Sequence, residues 1–254
     1  MFNLNPFKKI EFHTEKELVG AIPHPAPASK FVPEWYKKMP QVDTRSNPNK
    51  FPFISYLMPH EQRAELHGKR TMKACIPVRD CITAGYIIPM WFDISISYSE
   101  KDGAVSSHSM MGDREFMGSH PVFQVENSPL QSKAIGQAVY KLINPWTIKL
   151  PKGYSALIVP PMYQENSVIE ILPAVVDCDT YYNAINLPFI MHIKQGQRFV
   201  EQGTPIAQVI PFKRDNWSSV VAAEDELQKS TVANIIRSSS EKYLKLFHRK
   251  KRYT

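Results

Sequence analysis

Two carboxylates one residue apart, Asp177 and Asp179, stand just ahead of Tyr181 and Tyr182. A carboxylate can take a proton from water, and a pair can also hold a hard cation such as Mg²⁺ through its oxygens. A second group, His108, Asp113, Glu115 and His120, combines side chains that bind zinc and harder metals. Its spacing matches no metal motif, so a solvated insertion is the preferred reading and no metal or other cofactor is expected there. Arg79 and Asp80 are adjacent opposite charges, read as a buried structural pair ahead of a catalytic one. Cys75, Cys81 and Cys178 form an odd set without paired ligand spacing, as spectator thiols in a reducing compartment would.

The acidic pair sits inside a run of short strands. Leu150-Pro151-Lys152-Gly153-Tyr154 punctuates a turn before the apolar Ala156 to Val159, which Pro160-Pro161 closes. Val168 to Val176 is a second apolar run ending at Asp177, Ala184 to Ile193 a third, and Ile206 to Ile210 a fourth, entered through Gly203-Thr204-Pro205. Strands at near-regular spacing, each broken by Pro, Gly, Asn or Asp, predict an antiparallel sandwich or barrel rather than a βαβ array. Asp93 to Tyr98 alternates polar and apolar residues and predicts a half-buried strand. Lys101 to Gln137 reads as loop, and Glu61 to Met72 as a charged helix or exposed loop.

Lys152-Gly153-Tyr154, then Val175-Val176-Asp177-Cys178-Asp179-Thr180-Tyr181, then Gly203-Thr204-Pro205-Ile206-Ala207-Gln208 resemble, in order and approximate spacing, the dUTPase and dCTP deaminase fold. The resemblance implies a mainly β chain with a distorted β-barrel or sandwich (a dUTPase-like β-clip), commonly trimeric. It also implies that Asp177 activates the attacking water and that Tyr181 or Tyr182 stacks on deoxyribose. The departures concern chemistry. Where a dUTPase has an Arg-Ser-Gly turn for the triphosphate, this chain has Pro160-Pro161-Met162-Tyr163, and Tyr182-Asn183-Ala184 stands where an arginine should follow the tyrosine. Phosphates need amide donors, helix N-termini or cation clusters, so such a scaffold can keep its shape and lose the reaction. A second resemblance rests on Pro27-Ala28-Ser29-Lys30 with Pro33-Glu34-Trp35-Tyr36, Cys75-Ile76-Pro77 through Gly85-Tyr86-Ile87-Ile88-Pro89, Pro151-Lys152-Gly153-Tyr154-Ser155 and Pro211-Phe212-Lys213-Arg214. These segments resemble an uncharacterised family of tailed-bacteriophage and marine bacterial proteins, which implies a source and no mechanism.

With 254 residues and 43% hydrophobic content the chain can fill a core, and 21 Pro against 10 Gly argue against a mainly helical fold. The composition suggests an extended proline-rich N-terminal arm over 1–60, a β-rich core over 61–217, and a C-terminal helix with a basic tail over 218–254. Phe31, Trp35 and Tyr36 in the arm are anchors that need a surface, their own body first and a neighbouring subunit second. A helix is expected from about Ala222 to Phe247, with Ile235, Ile236, Tyr243 and Phe247 on one stripe as subunit contacts. The formal charge of +7 owes four to Arg249, Lys250, Lys251 and Arg252, which makes nucleic acid a candidate partner for the tail. No run approaches the ~20 apolar residues that span a bilayer, and Lys8, Lys9 and Glu11 precede any apolar segment, so neither a membrane partner nor a signal peptide is expected.

Two functions follow. In the leading one the chain is a non-enzymatic phage virion or assembly component, a homo-oligomer made in the host cytoplasm that also meets other virion proteins. In the alternative it is a nucleotide-processing enzyme using Asp177, Asp179 and Tyr181, with Mg²⁺.

Overall fold

Proline and glycine stops cut the chain into short strands that pair antiparallel throughout. The computed structural model describes residues 8–43, 69–101, 103–109, 115–135, 138–193, 195–238 and 243–254. The chain forms two compact units, one from Met1–Val32, Ile82–Arg214 and Tyr253–Thr254, the other from Pro33–Cys81 and Asp215–Arg252. It therefore divides near residues 32, 81, 214 and 252, where its composition suggests divisions near 60 and 217.

In chain order the strands are β1 (Glu11–His13), β2 (Ala26–Pro27), β3 (Val42–Asp43), β4 (Lys69–Arg70), β5 (Tyr86–Pro89), β6 (Ile94–Ser99), β7 (Ala104–Ser109) and β8 (Met117–Pro121). Then come β9 (Ala138–Leu142), β10 (Thr147–Lys149), β11 (Tyr154–Val159), β12 (Ile169–Ile171), β13 (Ala174–Val176), β14 (Leu187–Met191), β15 (Gly196–Val200) and β16 (Pro205–Lys213). In the first unit the sheet orders are β13-β11-β16-β5-β2, β12-β14-β9-β8, β15-β6-β7 and β1-β10. None of these sheets closes on itself among the described residues, so the fold is mainly β and sandwich-like rather than a closed barrel. Its core holds Ile88, Trp91, Ile96, Leu142, Ile158 and Phe189, each removed from solvent.

The apolar runs between Pro and Gly stops became β11, β14 and β16, and the 168–176 run broke at Leu172-Pro173 into β12 and β13. The 101–137 segment, expected as loop, contains β7 and β8. Serine-rich β7 is half exposed along its length and gains its order from a six-residue register with β6, which no local apolar pattern announces. The arm is not extended over its described part either. β1 pairs with β10 and β2 with β5, so its first segment lies on its own body.

The second unit holds the β3–β4 pair and a helix at Glu34–Lys38 after Pro33. Of the expected helix from Ala222 to Phe247, Glu226–Ser238 is α-helix and Tyr243–Phe247 a π-helical turn; the helix starts at Glu226, and residues 239–242 lie outside the described residues. Of the 61–72 stretch, residues 61–68 lie outside the described residues; Lys69–Arg70 is strand, and Met72 opens a 3₁₀ turn. A helix also crosses Ile76–Ile82. Among the described residues no helix is long and apolar enough to cross a membrane.

Candidate functional site

Antiparallel register brings the acidic pair to one end of β11. Ala156 faces Val176 of β13, so Asp177 follows beside Ser155; Tyr154 faces Lys213 of β16, so Arg214 follows beside Gly153. Gly153 turns with φ +85°, and its carbonyl accepts the Arg214 amide at 2.9 Å. The guanidinium then reaches both aspartates. Its Nη1 donates to Asp177 Oδ1 (3.1 Å), Asp179 Oδ1 (2.9 Å), Ser155 Oγ (3.0 Å) and Tyr154 O (3.2 Å), and its Nη2 donates to Asp179 Oδ2 (2.5 Å). The Gly153 amide donates to Asp179 Oδ2 at 2.8 Å, and the buried Ser155 hydroxyl donates to Asp177 Oδ1 at 2.6 Å.

This arrangement is a clamp. The Asp179 side chain is 2% exposed, and the Arg214 hydrogen bond, helped by the Gly153 amide, holds its carboxyl at about 2, below the ordinary 3.8. A carboxylate held so low is a poor proton acceptor near neutral pH. Asp177 is the more open of the two, with 60% of its side chain exposed, yet the same Oδ1 accepts from both Ser155 and Arg214. An Mg²⁺ bridging the pair would have to displace a guanidinium that already supplies the positive charge, so these residues do not fit that ion. Cys178 between them is buried, and burial pushes its thiol up to about 11, away from nucleophilic chemistry.

The tyrosines point elsewhere. Tyr181 accepts a hydrogen bond from Asn183 Nδ2 at 3.3 Å, and Tyr182 packs edge-on against His13 with ring centroids 5.7 Å apart. Tyr182 lines a cleft of about 590 Å³ with His13, Glu15, Phe92, Glu115 and Asn144. A second cleft of about 740 Å³ runs past Pro160, Glu165, Glu170, His192 and Pro205. Neither aspartate lines either cleft, and neither cleft has a lysine or arginine among its described lining residues. The Pro160-Pro161-Met162-Tyr163 turn adds no amide for a phosphate through Met162, whose N–H donates to Oε1 of the fully buried Gln208 at 2.8 Å. Gln208 Nε2 in turn donates to Ala84 O at 2.7 Å, locking that turn to the start of β5.

The remaining expectations separate. Asp113 lies outside the described residues, and among those described no three His, Cys, Asp or Glu side chains converge on a metal position. Arg79 and Asp80 are not a buried pair: they stand 3.9 Å apart, both partly exposed, and the shorter contacts of Asp80 are to His248 and Lys251. Tyr36 is buried within its own unit with Lys73 over its ring, so that ring is not presented to another chain. Trp35 and Phe247 are exposed, Phe31 and Tyr243 half-buried, and the side chains of Ile235 and Ile236 lie outside the described residues. Sequence reasoning missed Arg214. Its signal was a cation at the end of β16, legible only with the β11 register in hand.

No family model and no curated protein matches the chain. Solved structures similar to it include the EIAV dUTPase, 13% identical, at a TM-score of 0.31 over 56% of this chain and 86% of that one. A dUTPase from phage phi11 of S. aureus is 12% identical, at 0.30 over 57% and 85%. The Staphylococcus bacteriophage 80alpha dUTPase is 13% identical, at 0.30 over 56% and 76%. Overlaps this loose carry neither a fold assignment nor an activity to this chain.

Proposed function

We propose that this chain is a non-enzymatic component of a phage particle or of its assembly, made in the host cytoplasm and acting through contacts with copies of itself and with other virion proteins. One observation carries the reading. After β16, Trp217 is 90% exposed, Val220 85% and Val221 fully, and at the start of the 226–238 helix Leu227 is 78% exposed. Large apolar side chains this exposed along one short stretch mark a surface that is buried by something else. The clamp on Asp177 and Asp179 and the absence of cations from the two clefts' described linings argue in the same direction, since both weaken the case for a nucleotide enzyme. The phage attribution rests on the resemblance in sequence, and a trimer is the stoichiometry that the dUTPase-like resemblance implies. Trp35, Phe31, Tyr243, Phe247, Ile235 and Ile236 complete the proposed contact set.

Sedimentation velocity on the intact protein tests the assembly. Each large apolar side chain buried at a contact contributes about 1.5–3 kcal/mol. Trp217→Ser with Val221→Ser should therefore weaken self-association by at least about a hundredfold at neutral pH. A chain that stays monomeric at high micromolar concentration, or an oligomer indifferent to the double substitution, would overturn the proposal.

A further inference from the structure

The basic run after the Tyr243–Phe247 turn is held in place rather than loose. His248 Nε2 contacts Asp80 Oδ2 at 2.9 Å and Lys251 Nζ donates to the same oxygen at 2.6 Å, so two residues three apart share one anchor. The His248 side chain is largely buried at this contact. Burial alone would raise the Asp80 carboxyl, but the hydrogen bonds from Lys251 and His248 outweigh it and hold it below its ordinary range. Contacts at 248 and 251 thus hold, within the second unit, a stretch that has neither helix nor strand to order it.

Arg249 and Lys250 lie between the two anchors, and Arg252 follows directly. Arg249, Lys250 and Arg252 are exposed, and none of the three has an ion-pair partner among the described residues. Arg79, itself partly exposed, adds its charge beside Asp80. Within this unit a single carboxylate therefore organises a surface whose balance is strongly positive. A repeated negative charge at short, regular spacing is the partner that such a rib fits, and a nucleic-acid backbone has that form.

We infer that Arg249, Lys250 and Arg252 form a pre-ordered phosphate-binding rib for nucleic acid, read without regard to base sequence, and that Asp80 holds it in its binding conformation. Anchoring beforehand reduces the ordering entropy that a loose basic segment would lose on binding. The inference does not depend on the assembly reading, since a monomer would carry the same rib.

Fluorescence anisotropy with a labelled single strand of about 20 nucleotides, titrated across salt concentrations, tests it. Each phosphate contact to a single strand contributes a slope of about −0.7 in log affinity against log salt, so Arg249→Ala, Lys250→Ala and Arg252→Ala together should remove about 2 from the slope. These side chains are exposed, so the variant is not expected to unfold. Asp80→Ala separates the anchor from the charge: removing a negative charge should tighten binding if charge alone matters, whereas loss of the anchor should weaken it about three- to tenfold. An unchanged slope in the triple variant, or tighter binding by Asp80→Ala, overturns the inference. So does binding to vesicles containing phosphatidylserine with no binding to the oligonucleotide.

Discussion

Gly85→Ala is expected to lower the unfolding free energy by about 3 kcal/mol or more, or to prevent folding outright. Gly85 has φ +65°, where a side chain is strained, and a Cβ built there would lie 2.0 Å from the Val209 carbonyl oxygen and 2.9 Å from its carbon. The obstacle is the backbone of β16 in the middle of the five-stranded sheet, so it cannot move aside as a side-chain tip could. The Gly85 carbonyl also accepts the amide of the fully buried Ala28 at 3.0 Å, which ties the N-terminal segment to the same point. Gly20→Ala is the matched control. Gly20 has φ +81°, but its new Cβ would meet nothing within 4 Å, so only the backbone strain of about 1–2 kcal/mol applies. Urea denaturation of the two variants should separate them clearly; equal losses would mean that β5 and β16 do not approach as closely as described.

Arg214→Ala should produce the largest loss among single charge removals. It leaves Asp179, with 2% of its side chain exposed, facing Asp177 without the cation that binds both. Removing the shared cation leaves two neighbouring carboxylates without their counter-charge at a partly exposed site, and the thermal midpoint at neutral pH should fall. The pH dependence gives the sign. Asp179 in the folded chain titrates at about 2 against an ordinary 3.8, so its contribution is fully present above its unfolded value and is lost as pH falls toward 2. Asp179→Asn should remove that acid-side decline in midpoint while lowering stability at neutral pH. A decline of undiminished steepness in Asp179→Asn would assign the acid sensitivity to other carboxylates.

Much of the β framework was legible because its strands carry their own boundaries. Ile158, Phe189 and Val209 lie in apolar runs stopped by Pro or Gly, and all three are buried. β7 was not legible, because serines and a histidine at half-exposed positions show no apolar period, and only pairing with β6 makes the segment a strand. The residue types at 177 and 179 pointed to chemistry, and they do stand together. What composition could not show was the counter-charge. Arg214 lies 35 residues from Asp179 in sequence, and its approach depends on two strand registers at once. The exposure of Trp217 was not legible, because sequence does not reveal whether an apolar side chain finds cover.

The proposed assembly role requires the acidic hairpin to be a clamp and not an active site. The direct measurement is hydrolysis or deamination of a panel of deoxynucleoside triphosphates by the intact purified protein with Mg²⁺, followed by chromatography, with Asp177→Ala alongside. The clamp predicts no turnover above buffer for either protein. Turnover by the intact chain that disappears in Asp177→Ala would contradict it and make the end of β11 a catalytic centre.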